Sequence, residues 1–346
     1  MDFAAIGHGG EIMACPQCGL MANLDAPLLR SGAQAILSDA YLDSGQTCQM
    51  QHDRRHSGPV SIQTLQAEWL REKIPVPPRR ILDVGCYDGR LLGELKRLWP
   101  DGDCHGFDIH AGLRSCLPEG VRFWHKHLDD IPGSFDLICL SHSLIYLPDL
   151  LPTLERLHRL CAVGGGTLFF HGTNIESNPA ILALGDQAWY FCRRTLPGVF
   201  ARAGFVFVPG DEPRFPRDVV GLASRGEGSV SATCSSSSAG LAPKILADAL
   251  SRLYVLKENL TAIPGGEVFV LGTTSTAAFA DGILQRRNVA FVDEHRAAPG
   301  DRFRGKPVLH PQQLGDFDRL VIPYGSAAGA IAERFAGLYA GEFLAM

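Results

Sequence analysis

Arg80-Ile81-Leu82-Asp83-Val84-Gly85-Cys86-Tyr87-Asp88-Gly89-Arg90-Leu91-Leu92 is the stretch that decides the fold. Its apolar residues before Gly85 predict a short buried strand, and Gly85 permits the tight turn that follows the strand. Gly89 lets the next helix pack close to the sheet, and Asp88 is predicted to cap the first turn of that helix. A strand, a glycine turn and a helix in this order present free backbone N–H groups to a ligand.

Two acidic residues narrow the choice of ligand. Asp83 lies at the end of the predicted strand, where a carboxylate repels a pyrophosphate but suits an ammonium group or an ordered water. Asp108 closes a second short run, from which an acid binds ribose hydroxyls in nucleotide-binding α/β folds. A ligand with a nucleoside, a carboxylate and an ammonium group satisfies both, and S-adenosylmethionine is such a ligand. The alternative is an ordinary strand-to-helix turn without a ligand.

These residues resemble the class I S-adenosylmethionine-dependent methyltransferases, roughly from Ile81 to Arg225. The stretch 83–89 matches the glycine motif of the family, with Tyr87 where many members carry glycine. Residues 135–147 resemble the fourth strand with its loop, and residues 164–170 resemble the turn into the fifth strand. The resemblance implies that the cofactor is contacted by Asp83, Gly85, Cys86, Tyr87, Gly89, Asp108, Ile109, His127, Leu128 and Ser141.

The length, charge and cysteine content of the chain indicate the general class of protein. At 346 residues the chain is longer than a domain with one hydrophobic core usually is, so we expect two or three domains. A net charge of −5 gives no basic surface for nucleic acid or an anionic membrane, and no apolar run reaches transmembrane length. The ten cysteines lie partly in apparent core strands, which predicts a reducing cytoplasm rather than a disulfide framework. The oligomeric state is left open.

The first sixty residues have a separate motif. Cys15-Pro16-Gln17-Cys18-Gly19 has the spacing of a zinc knuckle, in which two thiolates bind one ion. Further on, a cysteine and two histidines follow at four-residue intervals, so a helix would place them on one face. The predicted zinc ligands are Cys15, Cys18, Cys48 and His52, with His56 and His8 as alternatives. The competing interpretation is unpaired thiols and solvent-facing histidines.

The pattern of elements gives the predicted domains. A helix is expected from Ser61 to Lys73, after which strands and helices alternate to about Arg225. This alternation predicts a doubly wound Rossmann-like α/β core over 61–225, preceded by a zinc-binding segment over 1–60. Residues 226–242, which contain four consecutive serines, are predicted to be a linker. Residues 243–346 predict a smaller α/β domain that serves as a substrate domain or lid, and packing alone is an equal explanation of its glycine turn.

The whole layout resembles the three-part sugar C-methyltransferases, in which a zinc domain, a methyltransferase core and a C-terminal α/β domain act on a nucleotide-linked deoxysugar. The C-terminal match consists of residues 292–294, 299–300, 305–308 and 311–314. Members of that family carry a His-Glu-His-x-x-Tyr segment whose last histidine is the catalytic base. In the matching stretch 185–191, Tyr190 is kept but Gln187 stands in the place of the base.

The glutamine changes the expected chemistry. Because glutamine cannot accept a proton usefully near neutral pH, carbon methylation is in doubt, whereas a hydroxyl or amine acceptor needs only a modest base. His142 and His171 follow the predicted fourth and fifth strands, so either is a candidate base or an ordinary loop histidine. The candidate catalytic residues are His171, His142, Tyr190 and Gln187. The alternative function is a catalytically silent cofactor-binding or zinc-dependent interaction protein.

Overall fold

The computed structural model describes residues 11–26, 50–52, 55–183, 185, 187–210, 213–226, 240–295, 297–316 and 318–346. The described residues fall into two units. The larger contains Glu11–Ser177 and Asp186–Lys244, and the smaller contains Asn178–Gly185 and Ile245–Met346. This division differs from the predicted boundaries, because the described part of segment 1–60 groups with the core and residues 178–185 group with the C-terminal unit.

The larger unit is built around one sheet. Its described strands are β1 (Ile12–Ala14), β2 (Met21–Asn23), β3 (Met50–His52), β4 (Pro59–Ser61), β5 (Arg80–Val84), β6 (Asp103–Phe107), β7 (Arg122–Trp124), β8 (Leu137–Ser141), β9 (Thr167–Thr173), β10 (Trp189–Tyr190), β11 (Phe205–Pro209) and β12 (Asp218–Arg225). Seven of them form the central sheet in the order β11-β12-β9-β8-β5-β6-β7. All its pairings are parallel except the two made by β12. This arrangement confirms the predicted α/β fold with a parallel-dominated sheet.

Helices cover both faces of that sheet. The helices of this unit are α1 (Ile62–Lys73), α2 (Arg90–Leu98), α3 (Leu150–Leu160) and α4 (Leu196–Ala201). Leu65, Trp69 and Leu95 of α1 and α2 pack with Phe169 of β9 on one face, whereas Leu154 of α3 belongs to the cluster on the other face. The helix expected from Ser61 to Lys73 is confirmed as α1, and the Oγ of Ser61 caps it by accepting the N–H of Thr64 at 3.0 Å.

The described N-terminal residues form strands. β1 pairs with β2, and β2 also pairs with β10, which follows β9 in the chain. The prediction that Cys48, His52 and His56 share a helix face is wrong at His52, because the backbone of His52 lies in β3, paired antiparallel to β4. The spacing of four suggested a helix, but ladder pairing with Pro59–Ser61 determines the local structure. Cys48 and His8 lie outside the described residues.

The smaller unit contains a second sheet. Its elements are α5 (Leu241–Ala262), β13 (Val268–Leu271), α6 (Ser275–Leu284), β14 (Asn288–Val292), β15 (Arg302–Phe303), β16 (Lys306–Leu309), β17 (Arg319–Ile322), α7 (Ala328–Ala336) and β18 (Glu342–Ala345), where α5 starts at the end of the larger unit. The sheet order is β15-β16-β14-β13-β17-β18, and only β15 is antiparallel to its neighbour. At the glycine turn, Gly272 has φ +88° and faces the hydroxyl of Tyr324, which donates to the carbonyl of Leu271 at 3.1 Å. Close packing therefore accounts for this glycine.

None of the helices in the described ranges combines the length and the apolar character needed to cross a membrane.

Candidate active site

The glycine turn after β5 is tightly constrained. The N–H groups of Gly85 and Cys86 both donate to the carbonyl of Phe107, at 2.8 and 3.0 Å. Gly85 has φ +77°, and a Cβ added to it would overlap the Cβ of Ser143 from the segment after β8. The helix begins one residue later than expected, because Gly89 at φ +73° is the N-cap residue of α2, and the carboxylate of Asp88 accepts the N–H of Arg90 instead. The sequence here is dictated by backbone geometry and by the space beside Ser143.

Asp83, two residues before Gly85, is a buried acid with one carboxyl oxygen left unpaired by the described structure. Its side chain is buried, and its Oδ1 has no hydrogen-bond partner among the described residues. Burial raises the pKa of Asp83 to about 7, and the neighbouring charge of Asp108 adds to the increase. A buried carboxyl oxygen without a partner usually belongs to a ligand or water site. A cationic group or an ordered water next to Oδ1 would satisfy it.

Asp108 is held at the same edge of the sheet. β5 and β6 are parallel neighbours, so their carboxyl ends lie side by side. The Oδ2 of Asp108 accepts the N–H of Tyr87 at 3.0 Å, and its Oδ1 accepts the N–H of His110 at 3.1 Å. These two bonds fix the plane of the carboxylate, which leaves its second lone pairs for further donors such as ribose hydroxyls. Tyr87 itself has φ +47°, so the turn holds a side chain in the left-handed region.

The other predicted cofactor contacts also follow the carboxyl ends of parallel strands. Cys86 lies in the turn, Ile109 follows β6, and Ser141 ends β8. His127 and Leu128 follow β7, where the side chain of His127 is exposed and Leu128 packs on the core. The structure therefore places all ten predicted residues along one edge of the sheet, with Gly89 at the start of α2.

The two candidate histidines meet beside Asp218. The ring centroids of His142 and His171 are 4.5 Å apart. The backbone N–H of His142 donates to the backbone carbonyl of His171 at 2.7 Å. His171 is completely buried; its Nε2 lies 3.2 Å from Asp218 Oδ2 and its Nδ1 lies 2.5 Å from Gln66 Nε2. His142 has φ +54°, and its Nε2 is 4.0 Å from the same Asp218 oxygen.

The electrostatics of this group favour a neutral His142. The pKa of His142 is lowered to about 4, mainly by burial and then by the neighbouring charges of His171 and Arg217, while Asp218 opposes the shift. For Asp218, burial raises the pKa, but the hydrogen bond from His171 and the nearby imidazoles lower it overall. At pH 7 the group therefore holds a carboxylate next to a neutral imidazole, and a neutral imidazole can bind a cation.

Gln187 and Tyr190 occupy buried positions near the end of β9. The Oε1 of Gln187 accepts the hydroxyl of Thr173 at 3.3 Å, and Thr173 is the register partner of Asp218. Tyr190 is 1% exposed, and its hydroxyl oxygen lies 3.5 Å from Asn23 Nδ2 on β2. The amide of Gln187 can thus position a group by hydrogen bonding, but it supplies no basic nitrogen.

Sequence reasoning missed Asp218 and Gln66. Asp218 reaches His171 only because β12 returns antiparallel beside β9, and the two residues are 47 positions apart. Gln66 looks like a polar residue of an amphipathic helix, yet it is completely buried and its Nε2 also donates to Ser141 Oγ at 2.8 Å. A buried polar residue on the apolar face of α1 was the one available signal.

A cavity opens beside this group. It has a volume of about 430 Å³, and its lining includes Asn174, Arg193, Phe215 and Asp218. Phe215 also packs on His171, with ring centroids 4.5 Å apart. The cavity is large enough for part of a small-molecule acceptor, and Arg193 favours one with an acidic group.

The Cys15–Cys18 turn has features of a metal-binding knuckle. Gly19 donates its N–H to the carbonyl of Cys15 at 2.9 Å and adopts φ +73°. Burial raises the pKa of Cys15, but backbone N–H groups of Cys18 and Gln17 and the Cys18 side chain hydrogen-bond to its sulfur and lower the pKa overall. Burial raises the pKa of Cys18 to about 11. His56, an alternative ligand, is bonded through Nε2 to Glu68 at 3.2 Å. Two cysteine sulfurs would supply half of a four-ligand zinc set, and within the described residues these two do not belong to a group of three possible metal ligands.

Known proteins are similar to this one over the central part of the chain. Residues 50–208 match the protein-family model described as a methyltransferase domain. The malonyl-[acyl-carrier protein] O-methyltransferase of Magnetococcus marinus is 30% identical over 189 residues, which cover 49% of this chain and 62% of that enzyme. The aklanonic acid methyltransferase DauC of a Streptomyces species is 33% identical over 107 residues, covering 28% of this chain and 49% of that protein. The central part of the chain is therefore similar to known methyltransferase domains.

Among solved structures, the plantazolicin methyltransferase BpumL, in complex with a pentazolic desmethylPZN analog and SAH, aligns with a TM-score of 0.43 and 14% identity. That alignment covers 58% of this chain and 94% of that one. The chain spans less than two thirds of the length of the two relatives described above.

Proposed function

We propose that the protein transfers a methyl group from S-adenosylmethionine to a small molecule. The observation that carries the proposal is the unpartnered buried Oδ1 of Asp83 beneath the Gly85 turn, with the carboxylate of Asp108 at the adjacent strand end. Asp83 would bind the ammonium group, directly or through water, and Asp108 would bind the ribose hydroxyls. When bound, S-adenosylmethionine supplies an electrophilic sulfonium methyl, so the chain has mainly to align the acceptor with it.

Different residues of the described structure would bind the cofactor and position the acceptor. Tyr87 and His110 N–H groups hold the Asp108 carboxylate in place before any ligand arrives, which lowers the cost of ordering the site. His142 is a neutral imidazole one residue beyond Ser141, and Ser143 directly abuts Gly85. The imidazole therefore belongs to the segment after β8 that contacts the Gly85 turn. Phe215 and Val220 add apolar surface to the lining of the cavity.

The acceptor we propose is a nucleotide-linked sugar, methylated on oxygen. The support is the resemblance to three-part sugar methyltransferases, together with Arg193 in the cavity, whose charge suits a phosphate. Oxygen is favoured over carbon because Gln187, in the place of the family base, offers only amide groups. The relatives named as O-methyltransferases favour the same choice. Cytoplasmic location stays a prediction from the cysteine content.

Cofactor binding is expected to be micromolar, about −8 kcal/mol, and to depend on Asp108. Asp108→Asn keeps the size of the side chain but removes its charge, so the free energy of S-adenosylmethionine binding should weaken by about 1–3 kcal/mol. Titration calorimetry on the folded protein measures both values. The matched control is Asp101→Asn, an exposed carboxylate in the turn before β6, which should bind normally. No heat at tens of micromolar cofactor would refute the proposal.

The acceptor is tested by mass spectrometry of reactions with a panel of nucleotide-linked deoxysugars, against the same sugars without the nucleotide. A product heavier by one methyl group is expected only with the nucleotide-linked set. Product from other small molecules instead would overturn the sugar-nucleotide assignment. If the cofactor binds and no acceptor is methylated, the silent binding protein becomes the better interpretation.

A structural zinc ion at Cys15 and Cys18 is proposed as a separate part of the protein. Replacing both residues by serine should remove one equivalent of zinc, measured by elemental analysis, and lower the melting temperature by several degrees. Cys116→Ser changes an exposed cysteine and should do neither. Equal zinc content in the double variant and the parent protein would show that this turn binds no metal.

A further inference from the structure

His142, His171 and Asp218 form a cluster that ordinary hydrogen bonding does not complete. Within the described parts of the chain, they are the one group of three side chains whose possible ligand atoms all lie within 4.8 Å of one another. The Nε2 of His142 is buried without a hydrogen-bond partner, and its distance of 4.0 Å to Asp218 Oδ2 is too long for a hydrogen bond. A buried ring nitrogen without a hydrogen-bond partner is costly unless another group satisfies it.

A metal ion fits that gap. An ion about 2.1 Å from each ligand holds neighbouring ligand atoms roughly 3.0–3.4 Å apart. The His171 Nε2 to Asp218 Oδ2 distance is already 3.2 Å, so only His142 has to approach. The His142 side chain is 27% exposed and none of its ring nitrogens is hydrogen-bonded in the described structure, so a small rotation breaks no bond.

Gln66 can support either state of His171. In the present orientation Gln66 Nε2 donates to His171 Nδ1 and to Ser141 Oγ, so His171 carries its proton on Nε2 and donates to Asp218. Gln66 Oε1 is buried without a partner. A half-turn of the amide places Oε1 against Nδ1, which then carries the proton and frees the Nε2 lone pair for an ion. A carbonyl oxygen bonded to the second nitrogen is the usual support of a metal-bound histidine.

We propose that His142, His171 and Asp218 bind a divalent first-row transition-metal ion, with Gln66 as a positioning residue. Two imidazoles and one carboxylate suit zinc, iron, cobalt or manganese better than magnesium or calcium, which favour oxygen ligands. Three protein ligands leave at least one coordination position open. The cavity of about 430 Å³ includes Asp218 in its lining, so the open position is accessible to a small molecule.

The role of the ion rests on the proposed function. An acceptor hydroxyl that coordinates the ion exchanges its O–H bond for an oxygen–metal bond, and its proton passes to solvent water. The oxygen becomes a better nucleophile without a strong protein base. Gln187 cannot activate the acceptor as a base, and the ion bound by His142, His171 and Asp218 would activate it instead.

Cobalt titration of the full chain tests the site without cofactor or acceptor. Co²⁺ at this cluster should give visible d–d absorption without the near-ultraviolet thiolate charge transfer expected from Cys15 and Cys18. The affinity for Co²⁺ at the cluster is read from the thiolate-free absorption. His142→Gln and Asp218→Asn should each lower this affinity, on the order of 10²-fold. His125→Gln, a change outside the cluster, is the control and should bind normally. His142→Gln is expected to fold because it removes no side-chain hydrogen bond, and circular dichroism verifies it.

Gln66 gives an independent readout. Gln66→Glu retains an acceptor for His171 Nδ1–H and should preserve or tighten Co²⁺ binding, whereas Gln66→Leu should weaken it about tenfold or more. Absence of thiolate-free absorption, or equal affinity in His142→Gln, Asp218→Asn and the parent protein, would overturn the metal site. Calorimetric binding of S-adenosylmethionine in the same samples separates the two proposals, since each can fail while the other stands.

Discussion

Gly85→Ala is expected to make the protein unfold at a markedly lower denaturant concentration and to weaken cofactor binding about 100-fold or more. Two costs combine at this position. A side chain at φ +77° is strained by about 1–2 kcal/mol, and the new Cβ would overlap the Cβ of Ser143, with the Ser143 Oγ and Cα at 3.3 and 3.6 Å. Overpacking of a fixed neighbour adds about 1–3 kcal/mol, so we expect a loss of about 3–4 kcal/mol in the free energy of unfolding.

Gly164→Ala isolates the first of those costs. Gly164 has φ +83°, but nothing lies within 4 Å of an added Cβ, so only the backbone strain of about 1–2 kcal/mol should appear. Urea denaturation of the two variants measures the difference. A larger loss in Gly164→Ala than in Gly85→Ala would contradict the packing argument.

Ser143→Gly completes a double-mutant cycle. It removes the Cβ and Oγ that an alanine at position 85 would meet, so the double variant should recover the packing part of the loss. The remaining destabilisation should then match Gly164→Ala. Cofactor affinity should follow the same order, falling about 100-fold or more in Gly85→Ala, because the shifted turn moves the Tyr87 N–H that holds the Asp108 carboxylate. Additive effects of the two changes would show that Ser143 does not constrain the turn.

The parts of the fold that were predictable are those with local physical signatures. The apolar run before Gly85 predicted β5, and the apolar runs before His142 and His171 predicted β8 and β9, because buried parallel strands need continuous hydrophobic side chains. Asp83 and Asp108 could be assigned to one edge of the sheet because parallel strands all end there. In these cases the sequence pattern and the tertiary position follow from the same requirement.

The histidine cluster could be predicted only in part. His142 and His171 follow neighbouring strands, so their proximity was foreseeable, but Asp218 depends on the register of an antiparallel strand that no local pattern specifies. Gln66 depends on which face of α1 meets the sheet. The helix predicted around His52 failed for a similar reason, because pairing with β4 outweighed the spacing. Long-range pairing decides such positions, and periodicity within a segment does not report it.

Asp83→Asn is expected to stabilise the cofactor-free protein at pH 8 while it removes cofactor binding. The pKa of Asp83 is about 7 in the folded chain against 3.8 for the ordinary side chain, mainly through burial and then through Asp108. The folded state therefore holds a proton that the unfolded state loses at lower pH, so the contribution of Asp83 to stability decreases as pH rises from about 4 to about 7. Three pKa units correspond to about 4 kcal/mol, and asparagine has no such penalty.

The expected signature is a stability difference that grows with pH. Asp83→Asn and the parent protein should differ little near pH 4 and by about 3–4 kcal/mol at pH 8, measured by urea denaturation of the cofactor-free chain. The groups around Asp83 do not obscure this window, because burial raises the pKa of Cys86, Cys104 and Cys139 and keeps these thiols neutral. Asp101→Asn, at an exposed site, should follow the parent profile at every pH.

The same residue links stability to cofactor binding. A cationic ammonium next to Oδ1 favours the charged carboxylate, so binding at pH 7 should release part of a proton from Asp83. Calorimetry in two buffers of different ionisation enthalpy measures that release, and it should disappear in the Asp83→Asn variant together with most of the affinity. A stability difference that is equal at pH 5 and pH 8 would mean that Asp83 is already ionised in the folded chain. In that case a cationic group would already lie next to the Oδ1 of Asp83, and this oxygen would not be available to the ammonium group of the cofactor.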